Sequence, residues 1–589
     1  MTQLFADTDS RHEAIYLVAG SLAAPEAVAR AAKYLETLTP LFKKSDPPGA
    51  LTTPLTWSAI VQLQATFGGA FSMGPTLQAW VDGQVAARLQ APALSFDPVG
   101  RGMSPYPWQI AGAELIAATG KAYIFDEPRT GKTATAILGL MEWYYRHLNG
   151  WKAPTLVVCP ASVVDPWVEA WKTWSDDTVD VVAWRGTPKQ RAALIGTASV
   201  YVTSYETCRQ DAPPTTGRKL APLRALAPAA VVIDECHLIK NPQAARSQAV
   251  RRLAKQASAV VAMSGTPITH NPGDLWATLN AVEPAAQPSR ERYVNRYCMS
   301  LQGEYKDEIL GLLPSREAEF RLTMLGQHRR VARADVMSHL PPKVHSVRTV
   351  DLPAAWRKAY DAMESQMLAE LPDGEELSVM TVLAQLTRLS QLASAPADVE
   401  VTTELNKDGE EVEHTKVTLK APSWKVDALL EILEERPGEK VVVFAPSKQL
   451  IDLAGAAATK AGHRVGYIKG GQKQSDRTET IKWFQEGDLN LICATTGAGG
   501  VGITLSKAGT LVFLQRPWSL VESLQAEDRG EGDATVERGT EVIDIVARNT
   551  LDSRVRAVLR ERAGQLADLV QDPRIVSELL GGTNREKAA

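Results

Sequence analysis

The feature that most constrains this chain is an alternation of short apolar runs with helical stretches, met twice along its length. Ala122-Tyr123-Ile124-Phe125, Thr155-Leu156-Val157-Val158, Val200-Tyr201-Val202 and Val231-Val232-Ile233 each end at a polar or glycine-containing segment. Runs this short and apolar read as parallel strands covered on both faces, with the helical stretches as crossovers. Ligands of such open sheets bind just past the carboxyl ends of the strands, so functional residues are expected there. The rhythm breaks near residue 286 and returns at Val441-Val442-Val443-Phe444, Leu489-Asn490-Leu491-Ile492 and Thr510-Leu511-Val512-Phe513.

The expected fold class is therefore α/β, with two parallel-sheet lobes separated by helical insertions. An Ala-rich stretch, 1–100, has a mostly helical pattern and ends Pro/Gly-rich, which predicts an N-terminal accessory module. The first lobe is placed at 101–285, helical insertions and the interlobe linker at 286–420, and the second lobe at 421–548. Val399 to Leu419 alternates and turns at Lys407-Asp408-Gly409, which predicts an exposed hairpin. Leu551, Val555, Val558, Leu559, Leu566, Leu569 and Val570 recur at helical spacing, so 549–589 reads as a bracing helix and tail.

Composition excludes several classes. No apolar run approaches the roughly 18 to 20 residues that span a bilayer, and the start, MTQLFADTDSRHE, has no apolar signal core. Five scattered cysteines with no CxxC pair argue against a disulfide framework and a zinc site. The expectation is a cytoplasmic protein with no membrane partner. A net charge of −4 counts against a coat on nucleic acid. It does not decide for a cleft, where local positive charge and helix N-termini suffice.

Chemistry gathers at two strand ends. Asp126-Glu127-Pro128-Arg129-Thr130-Gly131-Lys132-Thr133 follows a strand and opens a helix, the setting of a loop that turns backbone N–H groups toward phosphate. There Lys132 would reach the β- and γ-phosphates and the Thr133 hydroxyl would ligate Mg²⁺. Asp126 stands where the strict G-x-x-x-x-G-K-T pattern has its first glycine. About 100 residues later a buried strand ends in Asp234-Glu235-Cys236-His237. Two adjacent carboxylates at such an end are costly unless a cation waits there. Asp234 would hold Mg²⁺, and Glu235 would orient or deprotonate an attacking water. Order and spacing predict a P-loop nucleotidase using Mg²⁺.

The neighbouring segments carry a resemblance. Tyr106-Pro107-Trp108-Gln109 precedes the phosphate loop, and Leu156 through Ser162 to Trp167 and Trp174, then Val202-Thr203-Ser204-Tyr205-Glu206, follow it. The acidic strand continues as Leu238-Ile239-Lys240-Asn241-Pro242. Ser264-Gly265-Thr266-Pro267 leads to Leu275-Trp276, and Arg329-Arg330 leads to Leu340-Pro341-Pro342-Lys343. In the second lobe come Val441 to Ser447, Gly470-Gly471 with Arg477, Thr495 to Leu505, and Gln525-Ala526-Glu527-Asp528-Arg529. In number and order, over residues 105 to 555, these segments resemble the Swi/Snf-type helicase-like ATPases of superfamily 2, in a compact bacterial or phage form.

That resemblance implies two RecA-like lobes closing on ATP and a double-stranded-DNA partner gripped by its backbone without sequence specificity. It implies that Gln109 reads adenine, that Gly131 and Gly500 line the nucleotide, and that Arg529 stabilises the γ-phosphate. Contacts to DNA are implied near Ser162, Thr203, Thr266, Ser447, Thr496 and Arg477. As alternatives, Trp167, Trp174 and Trp276 read as core residues, His237 as a structural bridge and Arg477 as a solvated helix charge. The module at 1–100 reads as packing or as a guide for DNA.

Two places depart from the family. Arg129 occupies a loop position that commonly exploits glycine's freedom at positive φ. The family's ending, D-R-x-H-R-x-G-Q, here reads Asp528-Arg529-Gly530-Glu531-Gly532-Asp533, so the second arginine is absent. The function expected is an ATP-dependent DNA translocase. Strand annealing or separation, or an ATP-responsive clamp with impaired hydrolysis, are the alternatives.

Overall fold

The computed structural model describes residues 4–8, 14–19, 43–44, 51–68, 71–89, 91–98, 103–151, 153–175, 179–213, 221–269, 271–287, 289–301, 308–337, 343–369, 379–405, 411–499, 505–530, 540–557 and 559. The chain divides into two compact units, Met1–Val336 and Met337–Ala589.

The first unit begins with strands β1 (Leu4–Thr8), β2 (Ala14–Ala19), β3 (Lys43–Lys44), β4 (Leu51–Pro54) and β5 (Phe71–Met73), in the order β3-β4-β2-β1-β5. The helices Trp57–Phe67 and Pro75–Leu89 accompany them. The mostly helical reading of 1–100 thus needs a correction: a five-stranded sheet shares the segment. Ala6, Ile15 and Leu17 pack with Trp57, Ile60, Leu63 and Leu77, while Tyr16 between them is exposed. That period of two is the mark of a half-buried strand, but the runs are too short to stand out of an Ala-rich stretch.

The main sheet of the unit is built from β6 (Lys121–Ile124), β7 (Thr155–Cys159), β8 (Val181–Ala183), β9 (Val200–Ser204), β10 (Ala230–Asp234) and β11 (Ala259–Met263). After the hairpin strands β12 (Cys298–Leu301) and β13 (Glu308–Leu312) comes β14 (His328–Arg329). The sheet order is β14-β6-β11-β10-β7-β9-β8 and all its pairings are parallel. Ile124, Val157, Val202, Val232 and Val261 meet Ile137, Leu140, Trp143, Trp167 and Trp171 in one core. The helices Lys132–Leu148 and Val164–Trp174 that supply those partners cover one face. The apolar rhythm ends this lobe at 285. The sheet instead takes its seventh strand from residues 328 and 329, far into the expected insertion.

In the second unit the sheet runs β15 (Val344–Val350), β22 (Glu541–Ala547), β21 (Thr510–Phe513), β18 (Val441–Ala445), β20 (Leu491–Thr495) and β19 (Val465–Ile468), again all parallel. β15 also falls in the stretch read as linker. Between it and the helix Trp424–Glu434, strands β16 (Ala397–Leu405) and β17 (Glu411–Leu419) form the expected hairpin. Its turn, 407–409, lies outside the described residues. Leu551, Val555 and Leu559 are buried at helical spacing; the remainder of the predicted C-terminal stripe lies outside the described residues, or its side chains do.

Candidate active site

β6 delivers the phosphate loop and the helix Lys132–Leu148 carries it away. Gly131 caps that helix at φ 85° with no side chain bonded to the first turn, which leaves helix N–H groups facing outward. A Cβ on Gly131 would lie 1.8 Å from Gln109 Nε2, so glycine is required by space as well as by dihedral angle. Trp108 Nε1 and Gln109 Nε2 both donate to the Thr130 carbonyl, at 2.9 and 3.2 Å. Tyr106 N donates to Gln109 Oε1 at 2.9 Å, so both ends of that amide are engaged. Lys132 Nζ folds back to donate to the carbonyls of Asp126 (2.8 Å) and Glu127 (3.0 Å), spanning the loop. Thr133 follows it, partly exposed. Arg129 adopts φ 65°, the left-handed conformation that its sequence position suggested.

The structure explains how an aspartate occupies the first-glycine position. Asp126 is 1% exposed, and its Oδ1 accepts from Val331 N at 2.9 Å while Arg329 Nε lies 3.4 Å from Oδ2. Burial pushes its pKa up, with Arg329 first among the groups that oppose the rise. Glu127 Oε2 likewise accepts from Arg333 N at 2.8 Å.

Asp234 closes β10, and its two oxygens are already held: Trp167 Nε1 donates to Oδ2 at 2.8 Å and Glu235 N to Oδ1 at 3.0 Å. Burial, then the neighbouring Glu235 charge, pushes its pKa up to about 6, against the pull of Trp167 and Lys132. Two adjacent carboxylates at a buried strand end, where burial and mutual charge disfavour ionisation, suit a divalent cation that offsets both. Glu235 turns through φ 52°, and its Oε2 accepts from Ser264 Oγ at 3.1 Å with His237 Nδ1 3.2 Å away. His237 Nδ1 and Ser264 Oγ are 3.0 Å apart, and Thr266 N donates to the same hydroxyl at 3.1 Å. The 264–266 loop lies against the phosphate loop: a Cβ on Gly265 would meet Pro128 Cδ at 2.8 Å.

The residues expected to meet nucleic acid divide by burial. Ser162, Ser447 and Arg477 are partly exposed, Ser447 capping the helix Lys448–Lys460 through a bond from Leu450 N. Thr203, Thr266 and Thr496 are buried, Thr203 completely. A ligand at these loops would meet main chain or neighbours such as Ser204, which ends β9 and caps Tyr205–Asp211. Arg477 donates to the Ala498 carbonyl, and burial, then the nearby Arg529 charge, lowers its pKa. Arg529 ends the helix Leu520–Arg529. Gly500, Glu531 and Gly532 lie outside the described residues.

The segment patterns assign no bonding partner to the Trp167 indole or to Tyr205, whose hydroxyl donates to the Asp234 carbonyl at 2.5 Å. Arg329 and Arg330 were quoted only as a junction. Their proximity to the phosphate loop depends on β14 pairing with β6, which no local spacing reports.

Two protein-family models match the chain: an SNF2-related domain over residues 115–397 and a helicase conserved C-terminal domain over 424–530. An uncharacterized ATP-dependent helicase of Mycoplasma pneumoniae is 25% identical over 468 residues, 78% of this chain and 41% of that protein. The DNA annealing helicase and endonuclease ZRANB3 of Mus musculus is 26% identical over 459 residues, 75% of this chain and 38% of that protein. The chain thus spans less than half the length of these relatives. Among solved structures, the Sulfolobus solfataricus SWI2/SNF2 ATPase core in complex with dsDNA aligns over 82% of this chain and 98% of that one, at 17% identity and a TM-score of 0.37. Among the described residues, no helix is long and apolar enough to cross a membrane.

Proposed function

Because the chain belongs to the SNF2-related helicase-like ATPases, we propose that it uses ATP hydrolysis to travel along duplex DNA and remodel DNA or protein–DNA complexes without reading sequence. The observation that carries this reading is the phosphate loop and the Asp234-Glu235 strand end within one sheet, with the Lys132 charge acting on Asp234. Lys132 and the N–H groups after Gly131 would hold the phosphates. Thr133 and Asp234 would hold Mg²⁺, which supplies charge neutralisation at the phosphates. Glu235, kept in place by Ser264, would take the proton of the attacking water. Arg529 would supply positive charge at the γ-phosphate.

A DNA partner is supported by the name of the mouse relative; that this DNA is duplex rests on the family resemblance. The sequence offers no base-reading element, which predicts backbone contacts and affinity that falls steeply with salt. Five free, buried thiols support a reducing, cytoplasmic compartment; a bacterial or phage-host cytoplasm is what the compact form resembles. Two observations favour other readings. Similarity to an annealing helicase favours strand annealing or separation. Gly532 in place of the second arginine favours an ATP-responsive clamp.

Phosphate release measured with no nucleic acid, single-stranded DNA, duplex DNA or RNA, beside Lys132→Ala, separates them. Stimulation by duplex, lost in the variant, supports the motor; ATP-dependent DNA binding without phosphate release selects the clamp. Products on forked DNA distinguish translocation from annealing or unwinding.

A further inference from the structure

The phosphate loop carries a second set of bonds that holding a nucleotide does not require. Tyr123, Phe125 and Glu127 donate their N–H groups to the carbonyls of Gln327, Arg329 and Val331, at 2.7, 2.8 and 3.0 Å. The pairing begun by β14 therefore runs past the end of β6 into the loop itself. Side chains return the bonds, Val331 N to Asp126 and Arg333 N to Glu127. Arg330 reaches across: Nη1 donates to the Phe125 carbonyl at 2.9 Å and approaches that of Gly265 at 3.4 Å, with Nη2 3.7 Å from Glu127 Oε1.

Phe125 leads into the phosphate loop, and Gly265 sits between Ser264, which holds Glu235, and Thr266. One planar guanidinium thus ties the loop expected to sense phosphate to the loop that steadies the expected base. A lysine ammonium, a single point charge, cannot replace that fork. The tie sits on residues 329–333, followed by a short helix, Arg333–Val336, where the first unit ends.

We propose that Arg330 is a positioning residue that locks the phosphate loop to the 264–266 loop and to the segment by which the chain leaves the first unit, so that nucleotide occupancy is felt in that segment. This rests on the ATPase reading above. A purely structural arginine would also explain the bonds, but it would lower stability without making the exit segment respond to nucleotide.

The amides of Val331 and Arg333 report directly on the phosphate-loop carboxylates, so hydrogen exchange over 329–336 in the full chain is the first test, with Mg²⁺ and either ATPγS or no nucleotide. In the wild type the analogue slows exchange at these amides about tenfold, the scale of one hydrogen bond strengthened. Lys132→Ala shows no such response. Arg330→Gln loses the response and lowers kcat about tenfold or more, with ATP affinity changed less than about threefold. Arg330→Lys keeps a melting temperature near the wild type but does not restore the response.

Wild-type exchange indifferent to the analogue overturns the proposal. So does an Arg330→Gln variant that keeps the response, or one that loses ATP affinity and kcat together. Phosphate release by the wild type judges the ATPase reading separately. A protein that releases phosphate yet shows no exchange response sinks the inference alone; one that binds no ATP sinks both.

Discussion

Trp167 and Asp234, 67 residues apart in sequence, are joined by a 2.8 Å hydrogen bond from the indole Nε1 to the carboxylate Oδ2. Trp167 lies in the helix Val164–Trp174, just after the turn that carries Ser162, and is 2% exposed. The bond orients the Asp234 carboxylate and ties the proposed Mg²⁺ ligand to a helix near a proposed DNA contact.

Trp167→Phe keeps the apolar packing and removes this donor. Partners that orient a metal ligand are typically worth about 10- to 100-fold in metal affinity. The Mg²⁺ concentration for half-maximal phosphate release should therefore rise on the order of tenfold, while the melting temperature changes little. An unchanged Mg²⁺ dependence would refute this role.

Arg129 stands at φ 65°, where a side chain is opposed by its own backbone. Arg129→Gly should therefore shift the denaturant midpoint upward by the equivalent of about 0.5–1 kcal/mol. A lower midpoint would mean that contacts of the arginine side chain outweigh the strain.

His328, on β14, sets its ring edge-on to Phe125 with centroids 5.4 Å apart. Burial, with the Arg330 charge adding to it, lowers its pKa from 6.5 to about 4. The unfolded chain therefore takes up this proton more readily than the folded one. Stability from the neutral ring is fully present above pH 6.5 and is lost as pH falls toward 4. Urea midpoints of wild type and His328→Gln, compared at neutral pH and near pH 5, should show a steeper acid loss in the wild type. Parallel pH curves would contradict this.

In the second unit Lys425 is fully buried, its Nζ 2.6 Å from Asp552 Oδ2 and donating to the Leu514 carbonyl at 2.8 Å. Lys425→Met should destabilise that unit by about 3–5 kcal/mol, because it strands a buried carboxylate. Adding Asp552→Leu should recover part of the loss, although Asp552 also accepts from Ala547 N. A double variant as unstable as the sum of the two single ones would rule out coupling between the charges.

Both strand ends that carry the candidate chemistry were legible in the sequence, because each is a local pattern: an apolar run followed at once by polar residues of a particular kind. The parallel lobes were legible for the same reason. β14 was not, since two residues, one of them an arginine, make no apolar run. β15 escaped because Val344 and Val347 are exposed along an edge strand, where a continuous buried run was sought. The full burial of Thr203 was not legible, since only the fold shows its side chain enclosed while Ser204, the next residue, caps the following helix. The Trp167 indole reads as core, and it is core; its one polar atom finds a partner that only folding brings near.

The bonds between the phosphate loop and residues 331–333 bear on how the protein is made. Val331 and Arg333 lie 205 and 206 residues beyond Asp126 and Glu127, and Leu322 accepts from Trp57 across 265 residues. During synthesis the nascent chain presents the unpaired edge of β6 until residues 327–329 have left the ribosome, and such edges invite pairing with other chains. A polypeptide stopped at residue 285 would contain Lys132, Asp234 and Glu235, yet leave Asp126 without Arg329 or Val331. The nucleotide site is therefore completed late in translation, and a truncation that preserves the phosphate loop and the Asp234-Glu235 strand end should still aggregate or fold poorly.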